Sequence, residues 1–179
     1  ELGHAIPSGV KEELEIKVKT CVYRAICALG VNHGSVNMDL LITNGGNVHI
    51  IDIGARMGGN LIGSHIVPIG TGIDYMGNMI RAAVSDPTCW KPECQPRSVA
   101  TKLLALTPGK VKELPDFDQI SSKYDVQIEH HLHVGDAITP YRTNLDGCGY
   151  VVSCGYDVDN CIALATDVRK VIDESIIRE

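Results

Sequence analysis

Two carboxylates, Asp39 and Asp52, lie inside the apolar runs of "MDLLITNGGNVHIIDIGARMGGN", Met38 to Asn60. A carboxylate on an apolar strand is costly unless something pairs with it. The segment between the two runs, "NGGN", is a strong hairpin signal, because both glycines accept positive φ. A two-residue turn at Gly45–Gly46 pairs Asn44 with Asn47, so partner numbers sum to 91 and Asp39 faces Asp52. A four-residue loop pairs Thr43 with Val48 and gives the same register. The two Cβ atoms then stand roughly 5 Å apart on one face, where unit charges repel by about 3 kcal/mol at an effective dielectric near 20. Left alone the pair is a defect; with a divalent cation between them it is a site, since Mg²⁺ takes one or two carboxylates plus phosphate oxygens. The competing reading puts one Asp at a frayed strand end, or slips the hairpin by one residue. Arg56 follows four residues after Asp52, and "GGN" brings bare backbone to the same point. Metal ligands, a fixed cation and approachable amides are the parts phosphoryl transfer uses.

The elements that must hold these residues are legible by period. Residues 11–29 place Leu14, Val18, Cys21, Val22, Ala25 and Leu29 on one helical face, with Ser8 as N-cap and Gly30 as stop. "SVNMDLLIT" and "VHIIDI" are the two strands, and "GARMGGNLIGSHIVPIGTG" is a glycine-rich loop. A second helix is expected at Ile73–Val84 with Asp74 near its start, and "SDPTCWKPECQPR" as a linker. Strands are expected at "SVATKLLAL", "DVQIEHHLHV" and "GYVVSCGYD", and a closing helix at "DNCIALATDVRKVIDESI". The fold class is α+β: helix, antiparallel hairpin and helix, then a small antiparallel sheet with a helix.

Composition narrows the partners. A net charge of −6 with one Trp and one Phe argues against a nucleic-acid surface. No run approaches the roughly 20 apolar residues of a membrane span, and the first residues do not resemble a secretion signal. Seven cysteines, odd in number and without a C-x-x-C pair, fit free thiols in a reducing cytoplasm. Cys21 and Cys27 fall in the helical pattern, where a core role is expected.

The hairpin and its flanks resemble the ATP-grasp superfamily, specifically the C-terminal half of its nucleotide-binding unit. That family carries an acid on one strand, a short turn, and a strand ending Glu-x-Asn-x-Arg. Here Asp39 matches the first acid, Asp52 the Glu, Gly54 the Asn and Arg56 the Arg. Leu41 matches a position that packs on adenine. The entry "ELGHAIPS", "ALGV" and "GSVNMDL" also match, and "ARMGGNLIG" with "GTGIDYMGNMI" is similar to the carboxylate–amine ligase branch, with its relatives of carbamoyl-phosphate synthase. The resemblance is specific over residues 1–90 and weaker over 97–179, where "PGK", "VGD" and "GYVVSCG" are similar to that branch's small C-terminal domain. It implies residues 1–90 as the second half of an ATP-grasp domain and 97–179 as a small α+β domain. It implies ATP with Mg²⁺ or Mn²⁺ as cofactors, Asp39 and Asp52 as metal ligands, Arg56 as the catalytic cation, and Leu41 at the nucleotide. The implied reaction is activation of a carboxylate as an acyl-phosphate, then attack by an amine. Two alternatives stay open: a carbamoyl-phosphate or purine-pathway type reaction, and a degenerate non-catalytic domain. Gly54 departs from the pattern, since it has no side chain to ligate a metal; the register puts Asn37 opposite it, where its amide is a candidate replacement at the nucleotide site. The earlier glycine-rich loop and ATP-binding lysines of the family have no counterpart here, so the chain is expected to be a fragment, inactive alone and prone to self-association.

"IEHHLH" puts Glu129, His131 and His133 on one strand face if the strand continues through them. A transition-metal site is one reading and an exposed polar edge strand the other. His65 lies near the expected substrate end, as a ligand for an anion or as a structural histidine.

Overall fold

A computed structural model of the chain describes residues 2–179. Its elements are β1 (Gly3–Ile6), α1 (Glu12–Ala28), β2 (Asn37–Ile42), β3 (Val48–Gly54), a π-helical turn (Ile62–Ile66), α2 (Val67–Thr71) and α3 (Tyr75–Ala83). They continue with β4 (Ser98–Leu103), β5 (Gly109–Glu113), α4 (Phe117–Tyr124), β6 (Gln127–His130), β7 (Ala137–Ile138), β8 (Gly149–Gly155), α5 (Val158–Ser175) and β9 (Ile177–Arg178). Among the described residues no helix is long and apolar enough to cross a membrane.

The α+β class holds, with more elements than the pattern suggested. Three sheets form: β1-β4-β8-β6, the hairpin β2-β3, and β7-β5-β9. β1 pairs antiparallel with β4, His4 beside Thr101, so the start of the chain shares a sheet with its second half. α5 packs on β4 and β8, burying Cys161, Ala165, Val168 and Ile172. The spacing 161, 165, 168, 172 is one helical stripe, and Asp157 caps it by accepting from Asn160 N at 2.8 Å. The opposite face of the same sheet receives the chain after the hairpin: Ile66, Val99 and Val152 form a second cluster with Leu61, Ile62, Ile69 and Cys154.

Burial is lopsided. Among the described residues, Ile66 is the one buried hydrophobic residue that precedes Val99. α1 has no buried residue; Ile16 and Tyr23 on it, and Leu29 at its C-cap, are exposed. The hairpin and α1 therefore form a thin layer, while the second half owns the core.

Several local expectations are corrected. Ser8 is not the cap of α1: Lys11 occupies that position without a side-chain bond, and the Ser8 hydroxyl accepts from Val10 N instead. Gly30 does end the helix, with φ +68 and its N–H on Cys27 O. Cys27 is exposed and Cys21 only half-buried; the buried thiols are Cys148 and Cys161. The glycine-rich loop contains the π-helical turn and α2, which glycine content had masked. α3 matches its expected span, and Asp74 caps it by accepting from Gly77 N at 2.9 Å. β6 stops at His130, so His131 and His133 lie beyond the strand and do not share a face with Glu129. Among the described residues no group of three His, Cys, Asp or Glu side chains is placed to hold a metal ion. The polar edge reading stands: β6 is the outer strand of its sheet, paired only with β8.

Candidate functional site on the open face of the hairpin

The hairpin reaches its register by a route the sequence did not suggest. Thr43 N–H donates to Asn47 O at 2.9 Å, and Gly46 N–H to Thr43 O at 2.9 Å. The loop thus has three residues, Asn44 to Gly46, with Gly46 at φ +75 in the left-handed position such loops require. Ile42 pairs with Val48 and Leu40 with Ile50, one residue off the expected register. The ladder then shifts between Asp39 and Leu40, so that Asp39 faces Asp52, Met38 faces Ile53 and Asn37 faces Gly54. Ile51 is the extra residue of this bulge. Without it Asp39 would oppose Ile51 and the carboxylates would lie on opposite faces.

The two faces of the hairpin differ in chemistry. Met38, Leu40, Ile42, Val48, Ile50 and Ile53 are half-buried on the inner side, where β3 meets α1. Asp39, Leu41, His49, Ile51 and Asp52 are exposed on the outer side. The carboxylates are therefore on an open face rather than in a core, which removes the desolvation cost that made them puzzling. Leu41 at 55% and Ile51 at 65% exposure leave apolar surface beside them.

Arg56 joins this face by folding back. A Cβ on Gly54 would meet Arg56 Cγ at 3.4 Å, Nε at 3.5 Å and Cζ at 3.9 Å, so the guanidinium stem covers Gly54 two residues beyond Asp52. The space that a longer side chain would fill at this position is thus taken by Arg56. Its Nη1 donates to Met57 O at 2.9 Å, and its backbone N–H to Gly54 O at 2.8 Å. Asn37 points at the next turn: a Cβ on Gly58 would lie 2.8 Å from Asn37 Oδ1 and 3.0 Å from Ile62 Cβ. A side chain at that position would require Asn37 and Ile62 to give way.

Along the outer face the chemistry therefore runs in order. Asn37, Gly54 and Arg56 form one end, the Asp39–Asp52 pair the middle, and Leu41 with Ile51 the apolar end toward the turn. Two opposed carboxylates with an adjacent amide are a hard oxygen donor set, which suits Mg²⁺ bound jointly with phosphate oxygens. Ile51 and His49 were not anticipated; the bulge that brings Ile51 to this face has no signal in strand periodicity. Glu129, His131 and His133 are not part of this face, and His65 is held by Ser64 Oγ at 2.8 Å from its Nδ1.

The site is a surface, not a cleft. A cavity of about 680 Å³ lies between the end of α1, residues 31–36, α3 and Trp90, and contains none of the residues above. Burial pushes the Cys148 and Cys161 thiols up, and burial holds His130 below the usual histidine range.

Known proteins share this arrangement of elements. Residues 102–174 match the family described as L-amino acid ligase C-terminal domain 2. Phosphoribosylglycinamide synthetase from Anaerococcus prevotii superposes with a TM-score of 0.78 at 25% identity, covering 99% of this chain and 45% of that one. L-amino acid ligase from Bacillus licheniformis gives 0.84 at 22% identity, covering 100% and 46%. N5-carboxyaminoimidazole ribonucleotide synthetase from Thermotoga maritima gives 0.71 at 16%, covering 99% and 46%. The chain spans a little under half the length of each. No curated protein matches it.

Proposed function

From a chain that has the fold of the C-terminal portion of the ATP-grasp ligases, we infer one wall of an ATP-dependent ligase site, working as part of a longer enzyme. The division of labour is a nucleotide-facing part over residues 1–90 and a small α+β part over 97–179. The observation that carries the reading is the order of chemistries along the hairpin's open face: apolar, then paired carboxylates, then guanidinium.

Leu41, with Ile51 beside it, offers the adenine an apolar floor. Asp39 and Asp52 would hold Mg²⁺, and Asn37 would offer its amide at the Gly54 end. A bound Mg²⁺ would supply charge neutralisation for phosphate oxygens. Arg56, anchored over Gly54, presents a fixed positive charge where the transferred phosphoryl group gathers negative charge, which lowers the barrier without reorganisation at the moment of reaction. The substrate carboxylate is phosphorylated, and an amine then displaces phosphate to leave an amide bond. The family match over residues 102–174 favours an amino-acid-type carboxylate and amine over bicarbonate or formate. Seven free cysteines agree with work in the cytoplasm.

A non-catalytic reading is favoured by one feature, the absent side chain at Gly54. The test is product analysis with the complete enzyme. ADP and phosphate formed only when a carboxylate and an amine are both present support the ligase. AMP and pyrophosphate point to adenylation instead. Metal-dependent ATP binding without any turnover supports the degenerate domain.

A further inference from the structure

The segment after Arg56 is gripped from two sides. From the hairpin, Asn37 closes on Gly58. From the second half of the chain, the Tyr150 hydroxyl donates to Asn60 Oδ1 at 2.6 Å, across ninety residues of sequence. Between these grips Asn60 and Leu61 both adopt left-handed backbone, φ 51 and φ 64. Two consecutive non-glycine residues there are costly, and leucine more so than asparagine, so the surroundings must impose the conformation. Leu61 is held in the cluster with Ile66, Val99 and Val152. Asn60 is held by Tyr150. A π-helical turn, itself rare and concentrated at functional sites, starts at the next residue, Ile62.

Tyr150 is well placed to act as a fixed post. It lies on β8, an inner strand paired with Leu103 of β4 on one side and Glu129 of β6 on the other. Its neighbours Val151, Val152 and Ser153 are buried. The loop it holds begins at Arg56, which belongs to the hairpin face.

We propose that Tyr150 is a positioning residue for the Arg56–Leu61 loop, its hydroxyl on Asn60 fixing where the guanidinium and the glycine backbone stand beside the carboxylate pair. The inference rests on the reading of that face as a phosphoryl-transfer site. It makes the C-terminal sheet a part of the site's geometry.

Two variants remove the bond from opposite ends. Tyr150→Phe keeps the ring and loses the donor; Asn60→Gly keeps left-handed backbone accessible and loses the acceptor. The first readout is amide exchange in the chain itself, at Ile62, His65 and Ile66, whose N–H groups bond to Gly59 and Leu61 carbonyls. Exchange there should quicken roughly ten-fold in both variants, the worth of one hydrogen bond, while β4 and β8 keep their protection. The second readout is the complete enzyme: kcat should fall about five- to ten-fold with the KM for ATP unchanged, equally in either variant and no further in the double variant. Unchanged exchange, additive losses in the double variant, or a loss confined to KM overturns the proposal. An unsubstituted enzyme that binds no MgATP overturns the phosphoryl-transfer reading instead, and the exchange result still decides whether Tyr150 holds the loop.

Discussion

At the scale of single residues, the Asp39–Asp52 pair is an arrangement whose cost is electrostatic and whose proposed use is to hold a cation. Both side chains are exposed on the hairpin's outer face, so neither supports a core. Asp39→Asn or Asp52→Asn should nearly abolish turnover in the complete enzyme. Melting measured without metal should stay level or rise, because the substitution removes a like-charge neighbour; a large loss of stability would make the pair structural. Arg56 predicts a different signature. Its stem is already ordered over Gly54, so it acts on charge that develops during transfer more than on ground-state binding. Arg56→Ala should cut kcat about a hundred-fold or more while the ATP dissociation constant weakens only several-fold. Stopped turnover assays set beside calorimetric titration check this, and a raised KM with intact kcat would assign Arg56 to substrate binding.

At the scale of elements, polar side chains pin segments that periodicity left loose. Asn78 on α3 is fully buried. Its Nδ2 donates to Cys89 O at 2.6 Å and to Asp74 O at 2.8 Å, and its Oδ1 accepts from Cys89 N at 2.8 Å. This closes the proline-rich stretch 85–97 against the helix. Asn78→Ala should cost about 1–3 kcal/mol, read as a lower melting temperature, and should expose residues 85–97 to protease. A second tie joins α4 to β6, where Phe117 and His130 stack at 3.8 Å between centroids. Burial, then the nearby His131 and His133, lower the His130 pKa, against the opposing pull of Glu129 and Asp118. The fold thus prefers neutral His130: its contribution is whole above the unfolded value near 6.5 and is lost as pH falls from there through the lowered folded value. Thermal melts from pH 7.5 downward should show this decline, and His130→Phe should flatten it.

At the scale of the whole molecule, the buried apolar set lies almost entirely beyond residue 98, and the hairpin presents its chemistry on an open face. On the proposed reading, in which this chain supplies one wall of a longer enzyme's site, the phosphates are short of contacts here. Losing two or three charge-assisted bonds, each worth about 1.5–3 kcal/mol, weakens binding by orders of magnitude. The 179-residue chain should therefore fold, bind MgATP only weakly, and form no amide bond. Calorimetric titration decides it: micromolar affinity would show that this wall is sufficient alone. The exposed Ile16 and Tyr23 on α1, with Leu29 at its C-cap, also favour self-association, which light scattering would detect.

Some of this was readable from residue types alone. Strand-forming runs about "NGGN" specify a hairpin wherever they occur, α1 and α5 follow from helical period, and Asp74 announces α3, because these signals are local and each residue carries its own share. The resemblance to the ATP-grasp hairpin was likewise carried by a short motif. Tertiary structure decided the rest. The expected turn was wrong by one residue, and the bulge at Ile51 restored the facing of Asp39 and Asp52; a bulge is a property of the paired strands, which no single strand's alternation records. β1 was too short to be seen until β4 supplied its partner. Glu129, His131 and His133 alternate as a strand would, but β6 ends where pairing with β8 ends, at Gly149. Leu61 accepts a left-handed backbone only because Ile66, Val99 and Val152 receive its side chain. Backbone preference is local and additive, whereas strain, bulges and strand ends are settled by contacts between residues far apart in the chain.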